Sequence, residues 1–264
     1  QSDMIVGIAM ILLSAACALA YSVILQAIIR DPDLIRMTSY RFMVVLGVCD
    51  VVQCLPHAIT GILTITQPED AYLLRKMLGV LATPFYVGYA SQTVILSVQR
   101  FVQLASTPLH EKVFSERASK FWIMANFVLV ALFMLALASP WSAIVYNPTW
   151  YSWDYDRTLS MSDVVDQIET VIEVGGVFLS GILYCGVFAL LIRTRRQYAL
   201  TRSYSMEAKI LIQALTITVY CSILNIFWHY YDVLLPAHLW SYCALNFMWI
   251  CNSGVCPVIY LIVN

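Results

Sequence analysis

The chain has 264 residues, of which 61% are hydrophobic and 12% charged, with a mean hydropathy of +0.76. A soluble domain is about 45–50% apolar and about 25% charged, so the composition is that of an integral membrane protein. Fifteen Lys+Arg against 16 Asp+Glu leave a net charge of −1 and no basic field for nucleic acid, and such high hydrophobicity excludes disorder.

A helical span needs about 20 mostly apolar residues. Seven such stretches are predicted, at 4–29, 35–65, 71–105, 115–139, 166–192, 205–234 and 237–263. Turn chemistry separates them: Arg30-Asp31-Pro32-Asp33, Gln67-Pro68-Glu69-Asp70, Ser106 to Lys120, Pro140 to Asp163, Arg193 to Ser205, and Pro236. A β-barrel would need alternating segments of about 10 residues, and these runs are continuous. The expected fold is an all-α seven-helix bundle forming one domain over residues 1–264. The first span lacks the basic leader and short length of a cleaved signal peptide. Gln1 and the stop at Asn264 directly after the last span suggest a trimmed N-terminus and a further tail.

Lys and Arg divide unevenly between alternate loops. Arg30, Arg36, Arg41, Arg100, Lys112, Arg117, Lys120, Arg193, Arg195, Arg196, Arg202 and Lys209 fall on one side, and only Arg75, Lys76 and Arg157 on the other. By the positive-inside rule the N-terminus is outside and the C-terminus cytoplasmic. Most acids, including Asp154, Asp163, Asp166, Glu169, Glu173 and Asp232, fall on the outer side.

Chemistry-bearing motifs are sparse. All eight cysteines lie within predicted spans, so no disulfide framework is expected. No Cys/His group has ligand spacing, so neither a metal nor a cofactor is expected. The four histidines are isolated, and no nucleophile elbow, zincin helix or phosphate loop is present; the sequence does not read as an enzyme. Asp50, about ten residues into the second span, is the one ionisable group clearly deep in a span. Burying it costs about 2.5–3.5 kcal/mol on insertion scales, so it must face the bundle interior.

The last span reads Asn252-Ser253-Gly254-Val255-Cys256-Pro257-Val258-Ile259-Tyr260, the third ends Gln99-Arg100-Phe101 with Pro108-Leu109 beyond, and the second carries Leu46 and Asp50. These segments resemble the Asn-Ser-x-x-Asn-Pro-x-x-Tyr, Asp-Arg-Tyr, Pro-Leu and Leu-x-x-x-Asp motifs of rhodopsin-like G-protein-coupled receptors. The first-span Asn, the span-5 and span-6 prolines and the span-3 disulfide of that superfamily are absent. Arg36-Met37-Thr38-Ser39-Tyr40-Arg41-Phe42-Met43, leading into Gly47-Val48-Cys49-Asp50, and the Pro257-Val258-Ile259-Tyr260-Leu261 ending look like nematode serpentine chemoreceptors of the Srt or a neighbouring class.

The resemblance implies a chemosensory receptor of the plasma membrane or the ciliary membrane of sensory neurons. Its partners would be a small-molecule ligand, a heterotrimeric G protein and membrane lipid. Helical projection puts Ala82, Thr83, Tyr86, Trp228, Tyr231, Tyr242, Asn246 and Trp249 toward the ligand, and such apolar walls suit a small, mostly uncharged molecule. The competing reading is that these aromatics only pack helices together. Asp50, Asn252, Ser253, Cys256, Pro257 and Tyr260 would form an activation network, and Arg100, Phe101, Pro108 and Glu207 the coupling face. Glu207 is the expected partner of Arg100, because Gln99 replaces the acidic neighbour. The other class of function is a seven-helix channel subunit or a packing partner that does not signal.

The loop Trp141 to Asp163 carries Trp141, Tyr146, Trp150, Tyr151, Trp153 and Tyr155. Two readings stand: a lid over the bundle mouth, or an interfacial aromatic belt. Gly175, Gly176, Gly181 and Gly186 give span 5 a small-residue face, for close packing or for a homodimer seam.

Overall fold

A computed structural model describes residues 1–197 and 202–263 of the chain, with side chains described outside 194–214 and 261–264. Its long helices are α1 (Ser2–Arg30), α3 (Thr38–Thr66), α4 (Tyr72–Ala105), α6 (Glu116–Ala138), α7 (Ser162–Gln197), α8 (Arg202–His229) and α10 (Leu239–Val263). Short helices α2 (Pro32–Arg36), α5 (Thr107–Val113) and α9 (Tyr231–Leu234) fill connections. Five stretches, in α1, α3, α6, α7 and α10, are long and apolar enough to cross a membrane.

Local chemistry sets several boundaries. Asp31 caps α2, its carboxylate accepting from the Asp33 and Leu34 amides, with Pro32 at the first helical position. Gln67 closes α3 in the left-handed region at φ 43°. Ser115 caps α6 through the Ala118 amide. The sixth predicted span, expected to reach residue 234, stops as α8 at His229; the chain bends and the separate turn α9 follows.

The bundle is apolar outside and polar within. Leu12, Leu19, Leu135 and Phe178 are 65–73% exposed, whereas Ser14, Asp50, Gln53, Gln92, Asn246 and Asn252 are buried. A water-soluble domain rarely exposes so much contiguous apolar surface; a lipid-facing one must. α4 is central, packing against α3, α6 and α7, while α1 lies along α3 and α10. The α1–α3 approach depends on glycine: a Cβ at Gly7 would lie 2.5 Å from the Gly61 carbonyl oxygen.

The connection from α6 to α7 is not plain loop. Strands β1 (Ile144–Asn147) and β2 (Ser152–Tyr155) form an antiparallel hairpin pairing Ile144 with Tyr155 and Asn147 with Ser152. Asn147 accepts from the Thr149 amide in the turn, and Tyr151 takes φ 53°. Tyr146, Tyr151, Trp153 and Tyr155 are buried against the bundle, while Trp141 and Trp150 stay exposed. Most of the aromatic run therefore plugs the mouth of the bundle.

Two of the four span-5 glycines pack closely. A Cβ at Gly176 would meet Val94, and one at Gly186 the Phe101 ring; Gly175 and Gly181 face open space.

Candidate functional site

Trp249 on α10 is the hub beneath the hairpin. Its ring lies 4.8 Å from His57, 5.0 Å from Trp228, 5.4 Å from Tyr86 and 6.0 Å from Trp153, centroid to centroid. The first three contacts are edge-on and the Trp153 contact is tilted; edge-on aromatic pairs are each worth about 0.5–1.5 kcal/mol beyond area burial. The indole Nε1–H donates to Gln53 Oε1 at 2.8 Å, so four helices and the hairpin meet on one side chain. Helical projection selected Tyr86, Trp228 and Trp249. It missed His57, Gln53 and Trp153, which reach the hub from α3 and from a strand.

A second aromatic group sits nearer the mouth. Tyr242 is 5.4 Å from Tyr231 and 5.3 Å from Trp150. With Asn147, Ser152, Trp153 and Asp154 these residues line a cavity of about 230 Å³, somewhat below the range of typical drug-sized pockets. Burial pushes the Asp154 carboxyl upward, toward its neutral form. The remaining projected residues lie deeper. Ala82 and Thr83 are fully buried, and Asn246 donates to the Met10 sulfur at 3.8 Å. Tyr86 also donates to Asn225 Oδ1.

The hairpin is fastened to several helices. Tyr146 and Thr64 share a hydroxyl–hydroxyl bond of 2.7 Å, and Tyr151 donates to Asp3 near the start of α1. Tyr72 donates to Asp156 at 2.6 Å. Thr158 and Tyr72 together hold the Asp156 carboxyl below the usual range. Arg157 bridges Asp163 and Asp166 at the head of α7.

Below the hub lie the residues of the expected activation network. Asp50 is fully buried, and neither carboxylate oxygen makes a hydrogen bond of normal geometry to a described residue, although Ser253 lies beside it. Pro257 lacks the amide that would bond the Ser253 carbonyl one turn earlier, which leaves a second polar group in the same core. The Cys221 sulfur on α8 lies 3.4 Å from Asn252 Oδ1, to which its single S–H donates, and 3.5 Å from the Tyr89 hydroxyl; that hydroxyl also reaches Cys256 at 3.9 Å. Cys221 and Tyr89 thus tie α4, α8 and α10 together. Tyr260 is buried one helical turn beyond Cys256.

At the opposite end of the bundle, Gln99 is buried and makes three contacts. Its carbonyl accepts from Ser39 at 3.1 Å, and its amide donates to Gln103 at 3.1 Å and to His110 Nε2 at 3.0 Å. Where the resembled motif has an acid, this chain uses a neutral amide to join α3, α4 and α5. Burial, and then the Arg100 charge, push His110 down, so its Nε2 keeps the lone pair that this bond needs. Arg100 Nη1 donates to Gln103 at 3.4 Å, Phe101 packs with Tyr184, Val187 and Leu191 of α7, and Pro108 opens α5. The Glu207 side chain, the expected partner of Arg100, lies outside the described residues.

The bundle is apolar outside and polar within, with an aromatic hairpin at one end and the Gln99-Arg100-Phe101 segment at the other, an architecture that suits a multi-pass membrane protein. The profile of the serpentine type 7TM GPCR chemoreceptor Srt family matches residues 1–264, and the chain belongs to that family. No curated protein matches the sequence. The family is one of receptors rather than enzymes.

Proposed function

We propose that this chemoreceptor crosses the membrane seven times, with the hairpin end outside, and binds a small, mostly uncharged molecule between the hairpin and Trp249. The ligand enters the cavity bounded by Trp150, Tyr231 and Tyr242 and presses on Trp153, which transmits the load to the Trp249 hub. The supporting observation is that hub: one indole bonded to Gln53 and in ring contact with α3, α4, α8 and the hairpin. A change at the mouth is thereby mechanically connected to Asn252, one turn along α10.

The twelve-to-three division of Lys and Arg supports the orientation, and α4 and α8 are the two further spans. The displaced helices expose Arg100, Phe101 and Pro108, with Glu207 as the further coupling residue, to a heterotrimeric G protein in the cytoplasm. The Asp50, Asn252, Ser253, Cys256, Pro257 and Tyr260 core is the element that rearranges between. The receptor resides in the plasma membrane, surrounded by lipid on its apolar faces. A reporter-cell screen of small volatiles and metabolites, followed by nucleotide exchange on reconstituted G protein, tests this reading. Ligand-driven exchange that Trp249→Ala and Tyr242→Ala weaken is expected. Ligand-dependent ion current in G-protein-free membranes, without exchange, would replace it with a channel.

A further inference from the structure

Glu169, Glu173 and His229 form a cluster that ligand binding and coupling leave unused. The two glutamates are one turn apart on α7, about two and three turns from its start at the hairpin end. His229 is the last residue of α8. All three side chains are buried, and one ligand-type atom from each lies within 4.8 Å of the others.

Counting hydrogens shows what the cluster lacks. Thr170 Oγ1 donates its only hydrogen to the Asp166 carbonyl at 2.8 Å, so toward His229 Nδ1, 2.9 Å away, it can only accept. Nδ1 therefore carries the imidazole hydrogen, and in the neutral ring Nε2 presents a lone pair. That lone pair faces Glu173 Oε2 at 2.9 Å. Two lone pairs at this distance repel, so either a proton, held on Nε2 or on the carboxyl, or a metal ion must lie between them. The second Glu173 oxygen, Oε1, is buried without a hydrogen-bond partner among the described residues. Glu173 also lines a small cavity with Tyr86, Ser180 and Asn225, with room for about one water. The nearby Arg157 is already engaged by Asp163 and Asp166.

We propose that Glu169, Glu173 and His229 bind one divalent transition-metal ion of the zinc class, clamping α7 to α8 beneath the hairpin. Imidazole nitrogen and carboxylate oxygen are ordinary zinc donors, and three protein ligands leave a fourth position open for water; the small cavity supplies that space. Calcium and magnesium require more oxygen ligands than this set offers. The supporting shell is already built: Thr170 fixes the tautomer that turns Nε2 inward, and Tyr155 donates to Glu169 Oε2.

The test uses the full chain in lipid nanodiscs, with neither ligand nor G protein, so its outcome is independent of the receptor reading. Zinc chloride is titrated by equilibrium dialysis and bound metal is counted per chain, with thermal melting run in parallel. Saturable binding of one high-affinity zinc and a raised melting midpoint are expected. Glu173→Gln and His229→Ala should each weaken that site at least 10-fold and remove the shift, and residual binding by cysteine thiols should not differ between variants. Thr170→Val, which leaves every ligand in place, should weaken it about 10–100-fold, and it serves if His229→Ala does not fold. Absence of saturable zinc binding overturns the proposal. So do equal stoichiometry and equal thermal shift in the wild type and the Glu173→Gln variant.

Discussion

Trp249 and Gln53 are joined by an indole-to-amide hydrogen bond of 2.8 Å, buried between α10 and α3. The bond fixes the rotamer of the one ring that Tyr86, His57, Trp153 and Trp228 all touch. Trp249→Phe leaves Gln53 Oε1 buried without its donor, at a cost of about 1–3 kcal/mol. Adding Gln53→Leu to Trp249→Phe should recover part of that loss, because an apolar pair leaves nothing unsatisfied. Thermal melting of the two single variants and the double variant in detergent measures the coupling; strictly additive losses would mean that the bond does not operate.

Gly79 holds the hairpin down. A Cβ at Gly79 would lie 2.2 Å from the Ile144 carbonyl oxygen, a backbone atom that cannot swing aside. Gly79→Ala should lift β1 and destabilise the protein by about 1–3 kcal/mol, with faster hydrogen exchange over residues 144–155. Gly181→Ala, on the same scale of change but in open space, should be neutral or stabilising by up to about 1 kcal/mol through helix propensity.

His110 makes the Gln99 junction dependent on pH. Its pKa is lowered by burial and then by Arg100, so the folded protein prefers the neutral ring. The stability this contributes is present above the ordinary histidine value near 6.5 and is lost as pH falls through the lower folded value. Protonation places a hydrogen on Nε2 and breaks the 3.0 Å bond from the Gln99 amide. Acidification below about pH 6 should loosen α5, read as faster exchange over 107–113, and His110→Gln should flatten that profile.

Arg100 is the expected coupling residue. Arg100→Ala should abolish nucleotide exchange while leaving ligand binding and surface expression intact, and Glu207→Ala should raise basal exchange. A solvent-accessible ion pair contributes only about 0–1 kcal/mol, so a pairing of that strength would keep the basal rise within several-fold. Undiminished exchange from Arg100→Ala at normal surface expression would assign it to headgroup anchoring.

The sequence by itself determined the membrane class, the places where the long helices run, the burial of Asp50 and the family, because these depend on composition, on uninterrupted apolar length and on motifs local in the chain. Helical periodicity also singled out Tyr86, Trp228 and Trp249, whose rings meet in the folded chain. Tertiary structure alone decided that the Trp141–Asp163 segment folds as a hairpin and turns Trp153 down onto His57, as its strand period is only four residues on each side. It alone brought His229 to Glu173 across 56 residues of chain. No spacing rule anticipates such a pair, because its geometry is set by how α7 and α8 pack rather than by either helix's own sequence. Likewise, Gln99 reads as a lost acid until Ser39 and His110 stand beside it: what a side chain bonds is fixed by its neighbours in space, and only folding supplies them.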